Sequence, residues 1–262
     1  MAVIEAGGWT FSYDDVGSGD PMILLHGLLM DRTMWDYQVE AFRGTNRVVT
    51  VDLPGHGESP PQPIGFTAWD AARAMGAFAD AIELGPAVWI GHSMGGFQIV
   101  RLALAEPDRI RGMVLADSSA GPENPELLPQ YEGFLTVAKE DGVSDDLAGI
   151  LAMLLFDASF LATPDGVHWV KRLAAQDVNK LEGGCRLVFD RDDVRDRAGE
   201  ITAPTLVVHG TDDVSIPVAV AQDLVTRIPG ARLVEIPGSG HTAPLEKPEP
   251  VNRAIEEFLR AL

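Results

Sequence analysis

The length and the charge of this chain limit what it can be. Its 262 residues, of which 46% are apolar, suffice for one large domain, because single cores stop growing near ~250–300 residues. The 20 basic and 39 acidic side chains give a formal net charge of −19, which repels nucleic acid and anionic membranes, so we expect neither as a partner.

Short apolar segments alternate with longer helical segments along most of the chain, a pattern that predicts a parallel sheet with helices on its faces. The chain opens with a hairpin across two glycines. The predicted strands are residues 3–4, 9–15, 22–25, 47–52, 87–90, 112–116, 205–209 and 232–236. The predicted helices are residues 33–42, 67–84, 95–105, 218–227 and 248–262.

Residues 118–202 interrupt the alternation, because they contain helix-like segments and no convincing strand. We therefore predict a helical insertion within one α/β core, which residues 1–117 and 203–262 form. The insertion follows the carboxyl end of a strand, where open α/β sheets bind ligands, and we expect it to cover the site as a cap. Its Leu, Met and Phe content suggests an apolar or ring-bearing substrate. The candidate pocket residues are Met153, Phe156, His168 and Arg186.

The single cysteine, Cys185, excludes an internal disulfide and a thiolate metal cluster. This points to a reducing compartment. The first residues lack the basic and apolar pattern of a secretory signal, so we expect a cytoplasmic protein. The sequence also lacks a phosphate loop and a dinucleotide fingerprint in a strand-to-helix context, and we expect no cofactor and no metal.

The segment Gly91-His92-Ser93-Met94-Gly95 follows an apolar strand and precedes a helix. This is the context of a G-x-S-x-G nucleophile elbow. Such a turn presents the serine hydroxyl at a helix N-terminus, where the dipole and the free N–H groups favour negative charge. Ser93 is therefore the candidate nucleophile.

With these features the chain resembles the α/β-hydrolase superfamily, in its serine-nucleophile branch of esterase-, lactonase- and perhydrolase-like enzymes. The motifs that carry the resemblance are His26-Gly27 and residues 52–59, 91–96, 210–213 and 238–241. The resemblance implies a mostly parallel eight-stranded sheet flanked by helices, with a helical cap. It also implies a reaction that needs no cofactor.

A serine is a weak nucleophile, so it needs a base to accept its proton and a carboxylate to orient that base. The order of these residues in the family implies that His241 is the base. The family's spacing selects Asp213 as the acid, three residues after Gly210. Asp117, after the preceding predicted strand, occupies the place of a rarer variant and stays an alternative.

Acyl transfer also builds an oxyanion, which the family stabilises with two main-chain N–H groups. By resemblance these donors belong to Leu28 and Met94. The chain has His26-Gly27-Leu28-Leu29 and lacks the HGGG form of some lipases and esterases. This disfavours substrates with bulky alcohol groups.

The leading prediction is a hydrolase that cleaves small, apolar carboxylic esters or lactones through an acyl-enzyme. The relatives that cleave carbon–halogen bonds or epoxides use an aspartate at the elbow, so Ser93 argues against those reactions. One alternative is a carbon–carbon bond or enol-lactone hydrolase of aromatic catabolism, in which Arg172 or Arg186 holds a substrate carboxylate. Alternatives of another class are a perhydrolase or haloperoxidase-like enzyme, a hydroxynitrile lyase and a receptor-like protein that binds a small ligand.

Overall fold

An eight-stranded sheet forms the centre of the molecule in the computed structural model, which describes residues 1–262. The strands are β1 (Ala2–Ala6), β2 (Trp9–Gly17), β3 (Asp20–Leu25), β4 (Asn46–Asp52), β5 (Ala87–His92), β6 (Ile110–Ala116), β7 (Thr205–Gly210) and β8 (Arg232–Ile236). Their order across the sheet is β1-β2-β4-β3-β5-β6-β7-β8. The β1–β2 and β2–β4 pairs are antiparallel and all other pairs are parallel. The predicted fold class is confirmed.

The central strand β5 shows why the sheet is covered on both faces. All six of its residues are buried, as expected for a parallel strand between two layers of helices. Successive side chains of a strand point to opposite faces. Trp89 accordingly belongs to one buried apolar cluster, whereas Val88 and Ile90 belong to the other.

Besides three short 3₁₀ helices at Arg32–Trp35, Pro107–Arg109 and Arg195–Glu200, the chain has eleven α-helices, of which six accompany the sheet outside the insertion. They are α1 (Asp36–Phe42), α2 (Ala68–Ala81), α3 (Met94–Ala105), α9 (Val218–Arg227), α10 (Ala243–Glu246) and α11 (Pro248–Leu259). Five more helices lie between β6 and β7. They are α4 (Leu128–Asp141), α5 (Asp145–Leu155), α6 (Ala158–Leu161), α7 (Pro164–Ala174) and α8 (Val178–Phe189). The insertion consists of short helices because capping side chains start a new helix repeatedly, as Ser144, Asp157 and Thr163 do.

The cap helices pack on one another, α5 on α7 and α4 on α8, and residues 118–202 contain no strand. The boundaries of the insertion, residues 118 and 202, remain a prediction. Because parallel strands run in one direction, the segments that follow β3, β5, β6, β7 and β8 meet at one edge of the sheet. No helix is long and apolar enough to cross a membrane.

Candidate active site

Ser93 occupies the sharp turn between β5 and α3. Its backbone has φ +47° and ψ −113°, a conformation that residues other than glycine adopt rarely. Main-chain bonds hold it there: the Ser93 N–H donates to Ala116 O at 2.9 Å, and Ser93 O accepts from the Phe97 N–H at 3.0 Å. The Ser118 hydroxyl also donates to Ser93 O at 2.9 Å. The surrounding structure therefore fixes the strained turn.

The two glycines of the elbow are required by close backbone approaches. A Cβ atom on Gly91 would lie 2.6 Å from the carbonyl carbon of Gly95. A Cβ atom on Gly95 would lie 2.3 Å from the main-chain oxygen of Leu25. Any larger residue at either position would push α3 away from the strands, so the G-x-S-x-G pattern has a steric cause.

Ser93, His241 and Asp213 form one hydrogen-bonded chain. His241 Nε2 lies 2.9 Å from Ser93 Oγ, and His241 Nδ1 lies 2.8 Å from Asp213 Oδ2. The other carboxylate oxygen of Asp213 accepts from the Ser215 and Ile216 N–H groups at 2.9 and 2.8 Å. The structure thus brings together the three residues that the sequence predicts as nucleophile, base and acid.

The electrostatics of this chain favour a positive charge on His241. Burial disfavours the imidazolium, but the charge of Asp213 and its hydrogen bond outweigh burial and raise the pKa of His241 above its ordinary value. Burial also opposes ionisation of Asp213, yet the charge of His241 and hydrogen bonds with His209 and His241 lower the pKa of that carboxyl. Such a pair suits a base that must accept the serine proton.

Asp117, the alternative acid, makes no hydrogen bond with His241. Its carboxylate accepts from the Gly210 N–H at 2.8 Å and from the Ala243 N–H at 2.9 Å. These two amides lie at the end of β7 and just after His241, so Asp117 ties together the segments that carry the acid and the base. Burial raises the pKa of Asp117. The geometry makes it a positioning residue.

Glu246 holds the His241 loop in a way that the sequence did not reveal. Its carboxylate accepts from the Gly240 and Thr242 N–H groups, both at 3.1 Å, and from the Thr242 hydroxyl at 2.9 Å. It also accepts from the Asp157 N–H at 2.9 Å, at the start of cap helix α6. One carboxylate therefore joins both neighbours of His241 to the cap. The only signal in the sequence is an acidic residue shortly after the histidine.

Three other histidines support the loops of the site. His92 Nε2 donates to His241 O at 2.6 Å, and His26 Nε2 accepts from the Leu53 N–H at 2.9 Å. His56 bonds to a main-chain oxygen of its own turn. Burial lowers the pKa of His26 to about 4 and that of His92 to about 3, so both are neutral at neutral pH. Their roles are structural.

Asp117, His209 and Asp213 come nearest to a set of metal ligands, with one ligand atom each within 4.8 Å of the others. Both carboxylates and His209 Nε2 already have partners. Asp213 bonds to His241 and Asp117 bonds to two main-chain amides, while His209 Nε2 donates to Ile216 O at 2.7 Å. These hydrogen bonds within the protein account for the position of the three side chains, and we assign no metal to them.

The predicted oxyanion donors, Leu28 and Met94, both lie beside Ser93. Met94 is the first residue of α3, so its N–H has no intrahelical acceptor. Leu28 lies in the turn after β3, and neither N–H donates to another main-chain group. The following residue, Leu29, has φ +65°, and Gln176 of the cap donates to Leu29 O at 3.0 Å. The cap thus helps to fix the turn that carries one donor.

A cavity that is partly open to solvent lies between the core and the cap, with about 1000 Å³ of empty space including its open mouth. Ser93 and His241 line it, and 18 of its 23 lining residues are hydrophobic, so the reacting hydroxyl opens into an apolar space. The other five lining residues are Ser93, Glu123, Gln176, Ser215 and His241, and Tyr131, counted with the hydrophobic ones, adds a hydroxyl group. No lysine or arginine lines the cavity, so its wall offers no cation to a negatively charged ligand.

The candidate pocket residues from the sequence are placed elsewhere. Met153 is 61% exposed, because on α5 it lies on the side opposite Leu151 and Leu154, which face the cavity. Phe156 is buried against Phe160, with ring centroids 5.2 Å apart. Apolar composition alone did not reveal which side of each cap helix faces the cavity.

The polar candidates of the cap also lie outside the cavity. His168 is exposed on α7. Arg186 donates to both oxygens of Glu132, at 2.5 and 2.9 Å. Arg172 pairs with Asp31 in the turn after β3. Neither arginine is placed to hold a substrate carboxylate.

Comparison with known proteins identifies the class that this fold and site define. Residues 20–248 match the model of the alpha/beta hydrolase fold family, and the chain belongs to that family. The resemblance inferred from the motifs is confirmed, and the protein is a hydrolase.

Individual relatives narrow the comparison. A 2-hydroxy-6-oxononadienedioate/2-hydroxy-6-oxononatrienedioate hydrolase of Burkholderia vietnamiensis is 32% identical, over 95% of this chain and 90% of the relative. A thermophilic esterase from Thermogutta terrifontis superposes with a TM-score of 0.92 and 28% identity, over 100% of this chain and 99% of the esterase. The enol-lactonase from Burkholderia xenovorans superposes with a TM-score of 0.90 and 26% identity, over 99% of this chain and 100% of the enol-lactonase.

Proposed function

We propose that the protein hydrolyses neutral, apolar carboxylic esters or lactones through an acyl-enzyme on Ser93. The observation that carries the proposal is the hydrogen-bonded chain from Asp213 through His241 to Ser93, which ends at the apolar cavity. The similarity to an esterase and an enol-lactonase of nearly the same length supports the same reaction class.

The geometry suits a two-step acyl transfer. Ser93 Oγ attacks the carbonyl carbon while His241 Nε2 accepts its proton, and Asp213 stabilises the resulting imidazolium. The N–H groups of Leu28 and Met94 bind the oxyanion. His241 then returns the proton to the departing alkoxide, which leaves the acyl group on Ser93. In the second step His241 activates water, the acyl bond to Ser93 breaks, and the acid is released.

The lining of the cavity favours a neutral substrate. A carboxylate transferred into an apolar space needs a cation or several donors to offset the loss of hydration. Arg172 and Arg186 bond to acidic partners outside the cavity, and no lysine or arginine lines it. An uncharged ester or lactone avoids this cost.

Carbon–carbon bond hydrolysis is the second candidate, and the 32% identity to a hydrolase of unsaturated keto-dioates favours it. This reaction would use the same serine, histidine and aspartate. The two candidates differ in the charge of the substrate, so one assay separates them.

The test is a stopped-flow assay of the wild type and Ser93→Ala with p-nitrophenyl butyrate, a neutral lactone and a hydroxy-oxo-dienedioate. We expect Ser93-dependent turnover of the ester and the lactone at a kcat/KM well above that of the dioate. Ser119→Ala is the matched control, because Ser119 is buried nearby but does not line the cavity. A preference for the dioate would select the second candidate, and ester turnover by Ser93→Ala equal to the wild type would overturn the acyl-enzyme.

A further inference from the structure

Two polar residues of the cavity wall have no part in the chemistry proposed above. Glu123 lies in the loop between β6 and α4, and Tyr131 lies on α4. Both line the cavity that contains Ser93. Polar groups in an otherwise apolar pocket are the ones that fix the orientation of a ligand.

Glu123 has accepting capacity left. Its Oε2 accepts from Arg191 Nη1 at 2.7 Å, and its Oε1 accepts from the Asn124 N–H at 2.8 Å. An ionised carboxylate offers about four acceptor sites, so about two remain after these bonds. The side chain is 10% exposed, which leaves the cavity as the place where a further donor can reach it.

Arg191 neutralises Glu123 but is not available to a ligand. Its Nε donates to Gly121 O at 2.9 Å, its Nη1 to Val188 O at 2.6 Å and its Nη2 to Pro122 O at 3.1 Å. The guanidinium also lies over the ring of Phe97, 4.1 Å from the centroid, and its side chain is 3% exposed. The ion pair is therefore held in place behind the cavity wall, with Glu123 as the member that lines the cavity.

Tyr131 supplies a donor that lines the same cavity and feels the charge of Glu123. Its ring stacks on Phe189 with centroids 5.9 Å apart, and its hydroxyl makes no hydrogen bond with another residue of the chain. Burial and the charge of Glu123 raise the pKa of Tyr131 to about 12, so the hydroxyl keeps its proton at neutral pH. It can donate to a ligand oxygen.

We propose that Glu123 and Tyr131 form a specificity subsite for a neutral hydroxyl group of the substrate, remote from the scissile carbonyl. Tyr131 donates to the oxygen of that hydroxyl and Glu123 accepts its hydrogen. A substrate carboxylate is disfavoured here, because Glu123 offers it no donor and Arg191 does not line the cavity. An ammonium group gains little, because Arg191 already offsets the charge of Glu123 while the rest of the wall is apolar. The inference rests on the proposed ester or lactone hydrolysis.

The location of the subsite follows from Phe97. This residue lies one helical turn after Ser93 on α3, and its ring covers Arg191. Phe97 also lines the cavity, and Arg191, the partner of Glu123, packs on its ring. We therefore place the hydroxyl that binds there beyond Phe97, several bonds away from the carbonyl that Ser93 attacks.

The experiment compares p-nitrophenyl esters of straight-chain acids with and without a terminal hydroxyl group, over a series of chain lengths. At the best chain length the ratio of kcat/KM for the hydroxylated to the plain ester should be about five to ten in the wild type, the range that one net hydrogen bond supplies. Tyr131→Phe should lower this ratio towards one. The matched control is Tyr37→Phe, which removes a hydroxyl that donates to exposed Asp165 and should keep the wild-type ratio.

A second variant tests the acceptor. Glu123→Met combined with Arg191→Met removes the acceptor and both charges together, so that neither charge is left buried without its partner. This double variant should also lower the ratio of kcat/KM for the hydroxylated to the plain ester. A wild-type ratio near one at every chain length, or an unchanged ratio in both Tyr131→Phe and the double variant, would overturn the subsite.

Binding separates this proposal from the hydrolytic one. Calorimetry on Ser93→Ala measures the affinity for straight-chain methyl ketones with and without a terminal hydroxyl, which need no turnover. Tighter binding of the hydroxylated ketone, lost on adding Tyr131→Phe, supports the subsite even if no ester is hydrolysed. Equal binding of the two ketones contradicts the subsite even if Ser93-dependent ester hydrolysis is found.

Discussion

The loops at the carboxyl edge of the sheet and the wall of the cap differ in how their polar groups are bonded. At the sheet edge the buried carboxylates are bonded to main-chain amides or to a neighbouring imidazole, as Asp213, Asp117 and Glu246 are. The cavity wall is mostly apolar and has few polar groups, of which Gln176 bonds to the turn after β3. The sheet edge fixes the positions of the catalytic side chains, whereas the cap wall encloses the space for a substrate.

This difference separates chemistry from selection. Groups that take part in proton transfer must be held within a few tenths of an ångström, and buried charged hydrogen bonds provide that rigidity. An apolar wall discriminates weakly between similar substrates unless a polar group is placed in it. Changes at the sheet edge should therefore lower kcat for every substrate. Changes in the cap should alter the ratio of kcat/KM between substrates.

The largest effect is expected from Asp213→Asn. The substitution keeps the shape of the side chain but removes the charge that stabilises the His241 imidazolium, and kcat should fall about 10⁴-fold for every ester tested. Asp212→Asn, at the neighbouring exposed position, is the control and should retain wild-type kcat. A loss for some esters but not for others would contradict the assignment of Asp213 to the chemistry.

The same aspartate sets the pH dependence. His241 must be neutral to act as a base, and its pKa is raised by Asp213, so kcat/KM of the wild type should fall as the pH drops through a value above about 6.5. The residual activity of Asp213→Asn should persist to lower pH, because the stabilising charge is gone. Identical acidic limbs in both proteins would show that another group controls the profile.

Glu246→Gln is expected to have a smaller but general effect. The amide replaces one acceptor oxygen by a donor, which leaves at least one N–H next to His241 without a partner. The free energy of unfolding should fall by about 2 kcal/mol, and kcat should fall with little change in KM. Chemical denaturation and steady-state kinetics measure both, with Glu257→Gln on the exposed side of α11 as the control.

Gln176→Leu tests the contact between the two regions. It removes the donor to Leu29 O, so the turn that carries the Leu28 N–H loses one fixed point. The loss of one net hydrogen bond of about 1 kcal/mol corresponds to a decrease of about fivefold in kcat/KM. Gln130→Leu, at an exposed position of α4, should not reproduce it. An unchanged kcat/KM in Gln176→Leu would show that the cap does not position the turn.

The smallest effect is expected from Met153→Ser. Its side chain is 61% exposed and lies outside the cavity, so KM should change by less than about twofold and stability by less than about 0.5 kcal/mol. A large increase in KM for apolar esters would show that Met153 contacts the substrate after all.

The sequence predicted those parts of the molecule that local physics determines. The strands alternate or are uniformly apolar, and the elbow needs glycine on both sides of Ser93 for steric reasons, so both are visible in the chain itself. Asp213 was selected over Asp117 only by the spacing typical of the family, because both follow strands at the same edge.

The cap could not be predicted to the same depth. Which side of α5 faces the cavity depends on the packing of α5 against α7, which is a contact between distant segments. Arg186 and Glu132 are likewise 54 residues apart, and nothing in the sequence shows that they pair. The sequence did not reveal that Glu123 and Tyr131 line the cavity, for the same reason.

Covalent labelling tests the central claim, that Ser93 performs acyl chemistry at the sheet edge, most directly. The protein is treated with a p-nitrophenyl alkylphosphonate, which imitates the tetrahedral intermediate, and the label is located by mass spectrometry of peptides. We predict one label per chain, on Ser93, with loss of all esterase activity in proportion to labelling and no labelling of Ser93→Ala. A label on another residue, or full ester hydrolysis by the fully labelled protein, would contradict the account.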